Sequence, residues 1–351
     1  MDGRTAQRLV MLAAVVWGCG TPFGFAEEVR YLLAENSGTR VSTRDAAQAG
    51  CPACACCCST CGCGGEEEGP WSIQFTQTAE YVTNLALPFT LTPDFASVLQ
   101  DDFQFQTLAG VKYTERIDDD QAVAFSYVFH QTLHPVVDEL DLMQHAVIAE
   151  YSRRLNDDNI VSFNYNYSYY FLQGQSYVSQ NNFGIALLHS LNPCCDVKVG
   201  VDYLKADFRI DPLIDSDNVV PRLELIRYLN AKRTDYISLG TGYIRSNALL
   251  DGYSYDAASV FLSGRWRLGP CDRQELQLLG QYSYYGFLGP DPVQVGVFRE
   301  DHIIQLSARL THYFSDNASI FAHYSYFNDD SNVVRQNFDS HGTGIAVSFN
   351  W

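Results

Sequence analysis

Residues 341–351, HGTGIAVSFNW, alternate without a break: His341, Thr343, Ile345, Val347, Phe349 and Trp351 fall on one parity, Gly342, Gly344, Ala346, Ser348 and Asn350 on the other. Successive strand side chains point to opposite faces, so this is a strand with one bulky apolar face and one small polar face. The same period runs from Trp71 onward. In residues 159–171, Val161, Phe163, Tyr165, Tyr167, Tyr169 and Phe171 share a face against Ser162, Asn164, Asn166 and Ser168. A soluble sandwich buries such an aromatic face, whereas a membrane barrel turns it to lipid and encloses the polar one. Length favours the barrel, because the alternating runs span about 11 to 15 residues, beyond the usual soluble strand and enough to cross a bilayer at a tilt.

The connections agree. Tight turns at 117–120, 156–158, 192–194, 231–233, 269–272 and 315–317 alternate with longer loops at 83–102, 135–140, 173–177, 209–218, 248–253, 287–299 and 330–340. Short turns on one rim and long loops on the other are the habit of a transmembrane barrel, and the division gives about 14 strands. Pro221 and a mixed pattern make 219–230 the weakest strand; without it the count falls to about 12, since such barrels have even strand numbers. The fold class is therefore all-β: a single antiparallel up-and-down transmembrane barrel over residues 70–351.

The terminal strand resembles the closing strand of Gram-negative outer-membrane β-barrels. The segment YSYFNDDSN ahead of it resembles β-barrel porins and the barrel halves of polysaccharide exporters; the exporters carry helical repeats before the barrel, and this chain has none. The resemblance covers residues 71–351. It implies the outer membrane as the location, with lipid and the barrel-assembly machinery as partners. It also implies that Phe349 and Trp351 belong to the assembly signal.

The N-terminus reads as an export signal over residues 1–26: Arg4 and Arg8, then an apolar stretch at 9–17, then cleavage after Ala26. Lipoprotein cleavage before Cys19 is the other reading. Residues 27–69 have too few apolar side chains for a core and read as a disordered, cysteine-rich periplasmic linker. It carries Cys51, Cys54, Cys56, Cys57, Cys58, Cys61 and Cys63, followed by Glu66, Glu67 and Glu68. Cys194, Cys195 and Cys271 fall in turns expected on the same side. In an oxidising compartment these thiols form disulfides among themselves, to an envelope partner or to a second copy; a metal at the cluster is the alternative, and no other cofactor is expected.

A net charge of -18 argues against nucleic acid as a partner. With the bulky parity on lipid, the candidate lumen-lining charges are Lys112, Glu150, Arg154, Lys198, Asp202, Arg265, Arg267, Glu275 and Arg309, joined inside by Gln74, Thr76, Glu80, Gln277, Gln281 and Gln305. They either pair across the lumen to hold its shape or line a polar conduit. The surplus acid, including Asp94, Asp101, Asp102, Asp141, Asp211, Asp215, Asp291, Asp301 and Asp329, falls in the long loops. There it solvates the loops, binds divalent cations or biases entry toward cations. Hydrolase motifs are lacking, and His130, His134 and His341 near the rim are read as interfacial rather than catalytic. The leading function is a passive channel for small hydrophilic solutes. The alternative is a structural or adhesion barrel with a blocked lumen, anchored through its cysteine segment.

Overall fold

The computed structural model describes residues 69–351 apart from 87–98, 210, 270–271, 293, 295 and 334–336. The export signal, the linker cysteines, Asp94 and Cys271 lie outside the described residues. The strands are β1 (Trp71–Ala86), β2 (Leu99–Arg116), β3 (Gln121–Leu133), β4 (Leu142–Asn156), β5 (Asn159–Leu172), β6 (Gln175–Asn192), β7 (Cys195–Phe208), β8 (Ser216–Tyr228), β9 (Tyr236–Ala248), β10 (Tyr255–Leu268), β11 (Gln274–Pro290), β12 (Phe298–Ser315), β13 (Ala318–Ser331) and β14 (Phe338–Asn350). Each pairs antiparallel with its sequence neighbours, and β1 pairs with β14, closing the barrel. The last residue takes part in closure: Ile73 N–H donates to Trp351 C=O at 2.8 Å, and Trp351 N–H to Ile73 C=O at 2.9 Å.

The strand with Pro221 is present. Its ladder to β7 runs unbroken through Val201↔Pro221. Toward β9 the pairing lapses after Val219↔Arg245 and resumes in the same register at Arg222↔Gly242. A proline lacks only its donor, so the ladder loses a short stretch and not its register.

Four short turns share one device. Asp118, Asn156, Asn192 and Ser315 each accept, through the side chain, the backbone N–H two residues on, at 2.9, 3.0, 2.9 and 3.2 Å. These local hydrogen bonds replace the ladder where the chain reverses. The expected long loop at 173–177 is instead a two-residue hairpin of Gln173 and Gly174, whose φ angles of 50° and 71° are those of a type I′ turn. Strict alternation of short and long connections therefore fails at this hairpin.

Exposure alternates along the strands. Phe103, Phe105, Phe163, Phe183, Leu239, Leu262, Leu306, Ile345 and many other large apolar side chains stand on the outside, while Gln74, Thr76, Glu80, Lys112 and Asp202 are buried inside. Such a continuous apolar exterior is costly in water and suits acyl chains.

On that exterior, seven hairpins repeat one diagonal contact. A tyrosine on the strand rising to the long-loop rim reaches a polar side chain on the descending strand, two residues above its direct partner. The pairs are Tyr81–Asp101 (2.7 Å), Tyr127–His145 (2.7 Å), Tyr165–Asn181 (2.9 Å), Tyr203–Asp217 (2.5 Å), Tyr243–Asp256 (2.5 Å), Tyr282–His302 (2.7 Å) and Tyr324–His341 (2.8 Å). What faces the acceptor follows its chemistry: Phe129, Tyr284 and Tyr326 face the histidines, and Lys205 and Arg245 face Asp217 and Asp256. A tyrosine with its hydroxyl satisfied suits a zone between lipid tail and water.

Inside, the half toward the long-loop rim departs from the polar lining expected. Leu172, Tyr177, Val178, Ala206, Phe208 and Ile214 form one buried cluster. Val220, Ile244, Tyr255, Ala257, Tyr285 and Ile303 form a second, and Val82, Val137 and Leu140 a third. Val137, Leu140 and Ile214 come from rim loops, and Tyr253 of a third loop packs on the first cluster. Loops thus turn inward and cover part of the interior with apolar packing.

Candidate functional site: the lumen

Every sequence-nominated lumen charge sits on the inward parity, and the register brings several together. Lys112 Nζ lies 3.2 Å from Glu150. Arg222 pairs with Asp202. On β10–β12, Glu275 is fully buried beneath Arg265 (2.6 Å) and Arg267 (3.5 Å), with Gln277 Nε2 donating to it at 2.6 Å and the Tyr313 hydroxyl at 3.4 Å. Arg265, Gln277, Arg309 and His323 occupy one lateral rung of the wall. Arg309 and Arg267 also lie over the Phe321 and Tyr313 rings, at 5.2 and 5.7 Å. Lys198 lies opposite Glu224 of β8, and Arg154 opposite Ile160 of β5.

The closing seam has its own arrangement. From β1, Glu80 reaches across β14 to His323 on β13, 3.2 Å away, and accepts from Gln104 and Gln106 of β2. The path is open because β14 presents Gly342 and Gly344: a Cβ on Gly342 would run into the Glu80 carboxylate, and one on Gly344 would meet His323 Cε1 at 2.7 Å. The small face of the closing strand is therefore the groove in which an acid from the first strand lies.

Sequence reading missed Arg222, Glu224, Asp196 and His323. Pro221 obscured the alternation around the first two; Asp196, at a strand start, and His323, amid aromatics, gave no distinct signal. His130 is buried on the inward face and His341 stands on the exterior against Tyr324, so the wall separates these two histidines.

The loop acids have specific partners. Asp102 accepts the backbone N–H of Val137 (2.9 Å) and Val136 (3.2 Å), Asp211 that of Leu213 (3.0 Å), Asp215 that of Phe208 (2.5 Å) and Asp291 that of Gln294 (2.7 Å). Asp301 and Asp329 share Arg299, at 2.6 and 3.9 Å. These carboxylates brace the loops over the mouth, a third role beside solvation and cation binding. No cluster of metal-binding side chains occurs among the described residues. Cys194 is exposed in the β6–β7 turn and Cys195, half-buried, opens β7; no disulfide joins them among the described residues.

His134 begins the β3–β4 loop and is buried there, its N–H donating to Asp141 at 2.6 Å and its Nε2 to Gln104 at 3.2 Å. Burial holds its pKa below the usual 6.5, while Asp102 and Asp141 oppose that shift. A lowered histidine pKa means the unfolded loop binds the proton better, so this contribution is present above about pH 6.5 and is lost as pH falls toward the folded value. The amide-exchange protection factors of residues 134–141, taken relative to the intrinsic rate at each pH, should therefore fall between about pH 7.5 and pH 5.5, and His134→Asn should flatten that dependence.

No family model and no curated protein matches this chain. Among solved structures it is similar to outer-membrane expressed OmpT of Vibrio cholerae, at 10% identity and a TM-score of 0.47, over 82% of this chain and 99% of that one. It is also similar to an anion-selective porin from Comamonas acidovorans, at 9% identity and 0.44 over 80% and 98%. A Pseudomonas aeruginosa FadL homologue matches at 9% identity and 0.45 over 80% and 90%.

Proposed function

We propose that this protein is a porin-like outer-membrane channel for small hydrophilic solutes, with its short turns in the periplasm and its long loops outside. The observation that carries this reading is that charged side chains inside the wall still reach solvent: Glu150 is 47% exposed and Arg267 31%. Fourteen strands also enclose more than the eight that just fill. The apolar exterior supplies the membrane setting.

One observation favours a second reading, a structural barrel with a blocked lumen. The loop residues Val137, Leu140, Ile214 and Tyr253 pack against the inner wall at the mouth. Planar-bilayer recordings of the refolded chain discriminate the two. A channel narrowed at its mouth gives small, stable ionic steps, whereas a correctly folded barrel that stays silent, even with the β7–β8 loop shortened, supports the structural reading.

A further inference from the structure

We infer that the lumen selects for anions, such as small carboxylates and phosphates, although the chain as a whole is strongly acidic. This deepens the channel reading and rests on it. The argument concerns which charges a solute meets.

Below the apolar mouth, six cationic side chains face inward at least partly open to solvent: Arg154, Lys198, Arg222, Arg265, Arg267 and Arg309. The carboxylates on the same stretch are mostly covered. Glu275 is 0% exposed, Asp196 0%, Asp202 5% and Glu80 6%; among them, only Glu150 and Glu224 reach water. Each covered acid lies behind its partner. Glu275 sits beneath Arg265 and Arg267, Asp202 beneath Arg222, Asp196 beneath Arg233 and Tyr228, and Glu80 beside His323 and Gln104. The wall therefore shows the passing solute its guanidinium ends and hides the charges that hold them.

The patch on β10 and β12 is the densest: Arg265 and Arg267 share the Glu275 carboxylate, and Arg309 stands on the same rung as Arg265. Guanidinium groups present paired N–H donors that match carboxylate and phosphate oxygens. A low-dielectric wall around a narrow aqueous path focuses that charge. The chain's net charge of -18 does not contradict this. At the mouth Asp102 and Asp211 accept loop N–H groups and Asp301 pairs with Arg299, and Asp217 and Asp256 stand on the exterior with Tyr203 and Tyr243.

The test is the reversal potential of the full-length, refolded protein in a planar bilayer under a potassium chloride gradient. Chloride should permeate better than potassium, and millimolar inorganic phosphate on the periplasmic side should reduce the chloride current. The triple variant Arg265→Gln, Arg267→Gln, Arg309→Gln should lower the chloride-to-potassium permeability ratio by about tenfold, the low end of what focused charge does to local ion concentration. Should that variant fail to fold, Lys198→Gln with Arg154→Gln is expected to move the ratio in the same direction. Arg227→Gln, on the exterior, should leave it unchanged. A conducting wild-type barrel that prefers potassium overturns anion selection and leaves the channel reading standing. A silent barrel sinks the channel reading; calorimetric titration of the detergent-folded protein with inorganic phosphate then decides the site. Binding lost in the triple variant supports it, and no binding overturns it.

Discussion

Gly342→Leu is expected to destabilise the closed barrel more than any other single exchange on β14. A side chain there would occupy the space of the Glu80 carboxylate and the Ser325 hydroxyl. Overpacking a filled site costs about 1–3 kcal/mol. Here the displaced group is also a buried carboxylate that would lose its hydrogen bonds from Gln104 and Gln106 and its contact with His323. Leaving a buried charged acceptor unsatisfied adds about 1–3 kcal/mol or more. The damage falls on the β1–β14 seam, which closes the sheet. Heat-dependent mobility on denaturing gels reads it directly, as the folded form should convert at a markedly lower temperature. The cause is checked by Glu80→Ala in the same background, which removes the group the leucine strikes. That double variant should recover part of the loss, and an additive or worse phenotype would show that the groove is not the reason for the glycine.

Glu275→Ala carries the second large effect. The carboxylate is fully buried and engages two arginines, Gln277 and Tyr313. Its removal takes away the carboxylate that the two guanidiniums share. Breaking a fully buried ion pair costs about 3–5 kcal/mol. Arg265 and Arg267 are 19% and 31% exposed, so water takes up part of the loss. About 2 kcal/mol is the expected destabilisation, measured from urea midpoints in lipid or detergent. Glu275→Gln keeps the shape and two hydrogen-bond sites and should lose less. Equal midpoints for alanine, glutamine and wild type would mean that the arginines are held by something other than this acid.

Much of the fold was legible in the sequence. Alternation over Asn159–Phe171 and His341–Trp351 assigned lipid and lumen faces, and the turn residues Asn156, Asn192 and Ser315 marked the reversals. The nominated lumen charges fell on the inward parity because parity is a local property of an extended chain. Three features escaped. The Gln173–Gly174 hairpin was read as a longer loop because Tyr177 and Val178 belong to an irregular stretch where the register shifts. The apolar mouth was missed because its residues share the polar parity of their strands, and only the inward fold of Ile214, Val137 and Tyr253 makes burial there favourable. The seven tyrosine contacts are diagonal across strands, so they exist only once each hairpin has its register.

By itself, the sequence determined that the chain is a closed ribbon of alternating strands, which face of each ribbon meets lipid and which charges lie inside, since these follow from period two and turn chemistry. Tertiary structure alone decided which of the inward charges stay open to water. Glu275, Asp202 and Asp196 are as acidic in the sequence as Glu150, yet the neighbouring strands and the β8–β9 turn bring arginines over them and leave Glu150 open. Burial depends on what the adjacent strand places alongside, and that information lies across the sheet, tens of residues away in the chain.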